Sequence, residues 1–405
     1  MNRPQFPKNL IQRDTYISRI IPFIRKPIVK VLTGQRQVGK SNMMFLLIQR
    51  ILKGDSNANI IYINKENLTF DNLKTVSDLN QFVLEHSNDK KTNYIFIDGI
   101  QEIPEFEKAV RSLLINTEND IYITGSSEKL LSSEISTYLG GRIIEFKIYC
   151  LSYSEFLLFH SLIDSDENFL RFCKYGGHPF LSTMELNDDW VFEFLKSIYI
   201  TNVDQDLVNS LKIRYPNLLT LVIYYFTKNI GTLYSVEQIS KFLKSQTNYL
   251  NSDERYPVIN YISKVFLIHK VKHIDILSNL ILSLKGENYY FEDLGICNCI
   301  TEFLSNVEEK YLENVVYNQL IYKGYDVNIG CLESEEIGFV ATKYNERIYV
   351  KVAFHLDNEE AMEQVFGKLF RINDNYPKMV ISLDENVNKT YDGITHIPIR
   401  KFLMM

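Results

Sequence analysis

Along the first 150 residues, short unbroken apolar runs alternate with segments whose apolar positions recur every three or four residues. The runs IVKVLT (28–33), IIYIN (60–64), TNYIFID (92–98), NDIYITG (119–125) and RIIEFKI (142–148) predict five strands. Behind the first run, Met43, Met44, Leu47, Ile48 and Ile51 form one stripe, which predicts a helix, and GDSNAN (54–59) closes it as a loop. Strands alternating with helical segments predict a parallel sheet covered by helices.

After Leu151 the pattern turns helical through SYSEFLLFHSL, ENFLRFCKYGGHPFL and DWVFEFLKSIYITNVDQDLV. A helix follows at 211–228. SVEQISKFLKSQ (235–246) opens with Ser235 and Gln238 at capping-box spacing, and Val236, Ile239, Phe242 and Leu243 share one face. A third helix at about 253–266 leads into FLIHKVKHIDI and ENYYFED, which predict a β pair. Three helices and a hairpin outline a winged helix. From about Lys310 come a helix (YLENVVYNQLIYKG), the strands YDVNIG, IGFVAT and RIYVKVAF, a helix at 359–371, and the strand KMVISLD.

With 405 residues, two or three domains are expected. A net charge of -6 argues against a protein that coats nucleic acid. The five scattered cysteines (Cys150, Cys173, Cys297, Cys299, Cys331) lack zinc-type pairing, so buried thiols in a reducing compartment are expected. The N-terminal residues lack an apolar signal core, and the longest greasy run, LLTLVIYYF (218–226), is half a membrane span. The expectation is a soluble cytoplasmic protein with no membrane association.

The sharpest chemical signal is GQRQVGKS (34–41), placed after a strand and before a helix, matching GxxxxGK[ST]. Gly34, Gln35, Arg36, Gln37, Val38, Gly39, Lys40, Ser41 and Asn42 are therefore the nucleotide-binding candidates. Glycines let the backbone wrap a phosphate, Lys40 reaches the β- and γ-phosphates, and Ser41 ligates Mg²⁺. Asp98, at the tip of the third strand, is the second candidate for the metal. Ser126 and Ser127 end the fourth strand, where two readings stand equal: a sensor of the γ-phosphate, or a helix cap. Arg142 lies in the LGGR turn, where a solvated surface arginine is the commoner case.

VLTGQRQVGKS, YINKEN, YIFIDGIQEI, YITGSSEKLLSSEISTYLGGRIIEFKIYCLSYSEFL and KYGGHPF, in this order, resemble the prokaryotic AAA-type P-loop ATPases that carry a C-terminal domain of unknown function. The likeness continues through YYFEDLG and LENVVYNQLIYKGYDVNIG and covers nearly the whole chain. It implies an α/β fold: a P-loop NTPase core with a parallel sheet (1–150), a helical lid (151–208), a winged helix (209–292), and a small restriction-endonuclease-like α/β domain (293–405). It implies ATP and Mg²⁺ as ligands and Arg142 as an arginine finger. A homo-oligomer and a protein partner are compatible with it. DNA contact is not favoured, because the basic excess of the winged-helix segment is mild.

Two departures from the family pattern bear on activity. Where the family has Asp-Glu at the end of the metal strand, this chain has Asp98-Gly99. The missing Glu would orient the attacking water. Glu66, just past the second strand, is the nearest surrogate, although an ordinary loop carboxylate is the simpler reading. In the C-terminal domain, Gly338 stands where a nuclease would carry its metal-binding Asp, while Glu313 and Lys351 remain and Glu335 and Glu336 lie close in sequence. The functional expectation is an ATP-binding protein whose Mg-ATP sets a conformation or assembly, with hydrolysis weak or reliant on a surrogate. The alternatives are a scaffold that holds ATP uncleaved and a DNA-acting nuclease.

Overall fold

The computed structural model describes residues 5–125, 137–202, 216–246, 267–282, 286–301, 309–333, 335–356, 358–385 and 390–405. The chain forms two compact units, Met1–Tyr149 and Cys150–Met405.

The first unit is built on β1 (Val29–Thr33), β2 (Asn59–Asn64), β3 (Asn93–Asp98), β4 (Asn119–Thr124) and β5 (Ile143–Lys147), all parallel, in the order β2-β3-β4-β1-β5. Among the described residues its helices are α1 (Asp14–Ile20), α2 (Lys40–Gly54), α3 (Val76–His86) and α4 (Phe106–Leu113). Successive strand residues point to opposite faces. Val29, Val31, Ile61, Ile63, Ile95, Ile97, Ile121 and Ile123 form one face and share a core with Leu79 and Val83 of α3 and Ala109 and Val110 of α4. The opposite face is more aromatic: Phe96 stacks on Tyr122, and Tyr62 meets Phe45 of α2. This face also carries Lys30, a wholly buried lysine. It is neutralised by Asp120 and donates to the carbonyls of Lys26 (3.0 Å) and Ile28 (2.9 Å). Burial lowers the Lys30 pKa and Asp120 opposes that shift.

In the second unit, α5 (Tyr153–His160), α6 (Asp166–Tyr175) and α7 (Asp188–Thr201) come first. Ser152 and Glu155 form a capping box at the start of α5. Next come α8 (Pro216–Lys228), β6 (Leu233–Tyr234) and α9 (Val236–Gln246), whose entry has the reciprocal Ser235–Gln238 hydrogen bonds expected from the sequence. The helix expected at 253–266 lies outside the described residues. The expected β pair is present as β7 (Ile268–Asp275) and β8 (Glu287–Phe291), antiparallel, with β6 on the far side of β8.

After α10 (Leu294–Thr301) and α11 (Glu309–Tyr322), β9 (Asp326–Leu332), β10 (Glu335–Lys343) and β11 (Glu346–Val352) form an antiparallel meander. Helix α12 (Glu359–Phe370) leads to β12 (Lys378–Ser382), parallel to β11; β13 (Thr390–Tyr391), β14 (Ile394–Pro398) and α13 (Ile399–Met404) complete the chain. Because β7 also pairs with β9, in parallel, the strands form one sheet ordered β13-β14-β12-β11-β10-β9-β7-β8-β6. Among the described residues no helix is long and apolar enough to cross a membrane.

Candidate nucleotide site

In a parallel sheet all strands run the same way, so their carboxyl ends gather along one edge, the usual place for a ligand. In the first unit that edge holds the loop after β1, Thr124 at the end of β4, Asp98 at the end of β3, and the turn after β2 that carries Glu66.

The loop Gly34–Gly39 has the backbone its sequence requires. Gly34 has φ +140°, and a Cβ there would lie 2.1 Å from the Ile148 carbonyl oxygen, so only glycine lets the loop pass β5. Gln37 adopts φ +63°, and Gly39 caps α2 in the left-handed region at φ +94° with open space where a Cβ would be. The first N–H groups of α2, from Lys40 onward, have no intrahelical acceptors by construction and lie at the positive end of the helix dipole. Lys40 folds its ammonium over the loop, donating to the carbonyl of Gly34 at 2.9 Å and to that of Gln35. Ser41 and Asn42 are exposed on the first turn, whereas Val38 is buried and anchors the loop.

Asp98 is buried and doubly held: Thr124 Oγ1 donates to one carboxylate oxygen and Tyr62 Oη to the other at 3.2 Å. Burial and the charge of Asp98 push the Tyr62 phenol upward, which keeps it a proton donor. Thr124 also accepts from the N–H of Gly99 at 2.9 Å, fixing the turn that follows β3. Glu66 is exposed one residue beyond Lys65, whose N–H donates to the Asp98 carbonyl at 3.0 Å. The β2–β3 pairing thus puts Glu66 on the same edge as Asp98.

Arg142 lies elsewhere. Its carbonyl accepts from the N–H of Val29 at 3.0 Å, at the beginning of β1, whereas the loop follows the end of that strand. Five residues of strand, roughly 13–16 Å, separate the two, so Arg142 lies at the opposite end of β1 from the loop of its own chain. Its side chain is exposed and Nε donates to the Leu139 carbonyl at 3.4 Å. Ser126 and Ser127 lie outside the described residues.

Sequence reasoning missed three supports of this site. Arg13, nearly buried, donates to the Val38 carbonyl within the loop and to the Tyr149 carbonyl, each at 3.0 Å, and packs over the Tyr16 ring. Thr124 and Tyr62, the two donors to Asp98, are ordinary strand residues with no motif to mark them.

In the second unit, Glu313, Lys351, Glu336, Gly338, Asn288 and Tyr290 line one small cavity of about 80 Å³. Desolvation raises the Glu313 carboxyl to about 7, against the opposing charge of Lys351. Glu335 is not part of it, being paired with Lys368 and Arg371. The β9–β10 register shifts between Glu336 and Gly338, where φ is +151°.

A parallel sheet with this strand order, a phosphate-type loop entering a helix, and a buried aspartate one strand beyond β4 define an AAA-type P-loop nucleotide-binding domain. The family described as an AAA domain matches residues 26–157. An uncharacterised protein of Haemophilus influenzae is 31% identical over 405 residues, covering 98% of this chain and 99% of the relative. The chain belongs to the same family as that protein. An uncharacterised protein of Methanocaldococcus jannaschii is 28% identical over 397 residues, covering 91% of this chain and 86% of its own length. Among solved structures, Saccharomyces cerevisiae Hsp104 in complex with casein aligns at a TM-score of 0.32 and 12% identity, over 66% of this chain and 52% of that one. That likeness is too slight to carry argument.

Proposed function

We propose that the chain binds Mg-ATP at Gly34–Asn42 and uses the bound nucleotide to set a conformation or an assembly, with slow hydrolysis. The observation that carries this is the pairing of a complete phosphate cradle with a rigidly held Asp98 that is followed by glycine. The residues fit the metal: a serine hydroxyl on the first turn of α2 and a buried carboxylate are hard oxygen donors of the kind Mg²⁺ takes. Bound Mg²⁺ supplies charge neutralisation at the β- and γ-phosphates. Lys40 exchanges its loop carbonyls for phosphate oxygens, the α2 N–H groups hold the anion, Ser41 and Asp98 hold the metal, and Thr124 and Tyr62 keep Asp98 aimed.

Glu66 is the surrogate water-orienting carboxylate in this reading. Arg142 acts on the nucleotide of a second copy, since it lies at the far end of β1 from its own loop. Ser126 and Ser127 keep the sensor assignment given by their place after β4. Beyond the core we assign a helical lid (151–208), a winged helix (209–292) and a nuclease-like domain (293–405) that binds without cutting. The winged-helix assignment is supported by the Ser235-capped helix and the β7–β8 pair; the location is cytoplasmic.

The test is calorimetric titration with ATP and Mg²⁺, with steady-state phosphate release measured in parallel. Lys40→Ala removes a charged hydrogen-bond donor worth about 1.5–3 kcal/mol, so affinity falls roughly tenfold to a hundredfold. Unchanged affinity would mean that the loop is not a phosphate site. Wild-type turnover at rates of about 1 s⁻¹ or more would replace the slow-hydrolysis reading with that of an ordinary ATPase.

A further inference from the structure

Apart from the nucleotide site, three buried side chains from distant parts of the sequence meet in the second unit. Cys150, His178 and Asp293 bring their ligating atoms within 4.8 Å of one another. The backbone is shaped for this meeting. In KYGGHPF, a Cβ on Gly176 (φ +74°) would lie 2.2 Å from a carboxylate oxygen of Asp293, and one on Gly177 would lie 2.3 Å from the Leu151 carbonyl oxygen. Glycine alone lets this turn press against both. Asp293 is oriented by the N–H of Gly177 at 2.6 Å and by that of Ile296, in the first turn of α10, at 3.0 Å.

His178 is the anomaly. It is wholly buried, yet neither ring nitrogen has a hydrogen-bond partner among the described residues. A buried polar group left unmet costs about 1–3 kcal/mol, and this ring has two. Burial lowers its pKa, while Asp293 and Glu292 pull the other way. A neutral imidazole is the form that offers a lone pair to a metal ion.

We propose that Cys150, His178 and Asp293 form a zinc site. Thiolate, imidazole and carboxylate are the donors Zn²⁺ takes, and a thiolate disfavours Mg²⁺. Tetrahedral bonds of about 2.0–2.3 Å set donors roughly 3.5 Å apart, so the ligating atoms, which lie within 4.8 Å of one another, close slightly on the ion. On binding, the Cys150 thiol gives up its proton to solvent and its sulfur lone pair to the ion. Asp293 keeps its two backbone hydrogen bonds, because each carboxylate oxygen has a second lone pair. Water takes the fourth position. The ion ties the start of the second unit to the Gly176–His178 turn and to α10.

The experiment uses the full chain, stripped with chelator and titrated with Co²⁺ and then Zn²⁺. The expected result is one equivalent of Co²⁺ with a thiolate-to-cobalt charge-transfer band that Zn²⁺ displaces, and a higher melting temperature on loading. Cobalt at the nucleotide site would give no such band, so this outcome is independent of whether the P-loop reading survives. Cys150→Ser, nearly isosteric, should abolish the band, and His178→Phe should weaken binding by roughly 100-fold or more, since losing even an outer-shell partner costs about 10–100-fold. Cys331→Ser should keep both, which separates this site from the Cys331–His273 contact. A wild-type chain without the band, or a band that survives Cys150→Ser, would overturn the proposal.

Discussion

Gly99 and Gly338 each stand where the family resemblance expects an acidic residue, one in each unit, and the backbone treats them differently. Gly99 follows β3 at φ +74°, and a Cβ added there meets nothing closer than Lys65 Cβ at 3.6 Å. Gly338 lies inside β10 at φ +151°, and a Cβ there would sit 2.5 Å from the Val350 carbonyl oxygen. At Gly99, beside Asp98, there is room for a side chain. At Gly338 the strand has shifted register, and the space for the side chain has been taken by β11. A Cβ finds space at Gly99 and meets backbone at Gly338.

The largest effect that would sharpen this contrast is at Gly99. Gly99→Glu should raise phosphate release by about 10²–10⁴-fold, the usual yield of a positioned general base, with little change in ATP affinity because the new group acts on the transition state. The left-handed backbone subtracts about 1–2 kcal/mol of stability. Glu66→Gln, made in the wild type, separates the two carboxylates. If it abolishes a brisk wild-type rate, the surrogate already works and the glycine is not a lesion. A folded, ATP-binding Gly99→Glu protein that is no faster would show that the carboxylate is not limiting.

The counterpart is Gly338→Asp, which should lose about 2–5 kcal/mol, combining overpacking with a left-handed conformation. It should gain no metal-dependent nicking of DNA. Urea unfolding monitored in the second unit measures the loss. Wild-type stability in this variant would break the comparison, since it would show that β10 can return to a regular register.

The sequence exposes the first unit more fully than the second for a physical reason. Parallel strands covered on both faces are continuous apolar runs, so IVKVLT and YIFID announce themselves, and the glycines of GQRQVGKS are dictated by the loop they build. What pattern cannot show is pairing across the chain. Arg13 clamps a loop 25 residues away, and Thr124 becomes a partner of Asp98 only because β3 and β4 are neighbours. The register shift at Gly338 is equally silent, since EEIGFVA reads as an ordinary alternating strand. The parallel β7–β9 contact, which joins the hairpin to the C-terminal meander, has no local signature either.

The smallest effect concerns Glu313, which lines the same cavity as Gly338. Glu313 lines the cavity with Lys351, and desolvation lifts its carboxyl to about 7 from an ordinary 4.5. A carboxyl whose folded pKa lies above its unfolded value costs nothing at acid pH; as pH rises from about 4.5 to about 7 the unfolded state ionises first and stability falls, then stays level. The full penalty is about 3 kcal/mol at most, at about 1.4 kcal/mol per pH unit. Glu313→Gln carries no such charge. It should therefore be more stable than wild type at pH 8, by up to that amount, and nearly equal to it at pH 5. Denaturant unfolding at the two pH values checks this. An advantage that is the same at both would mean that Glu313 is ionised in the fold at acid pH, held by Lys351, and that ion pairing outweighs desolvation in this cavity.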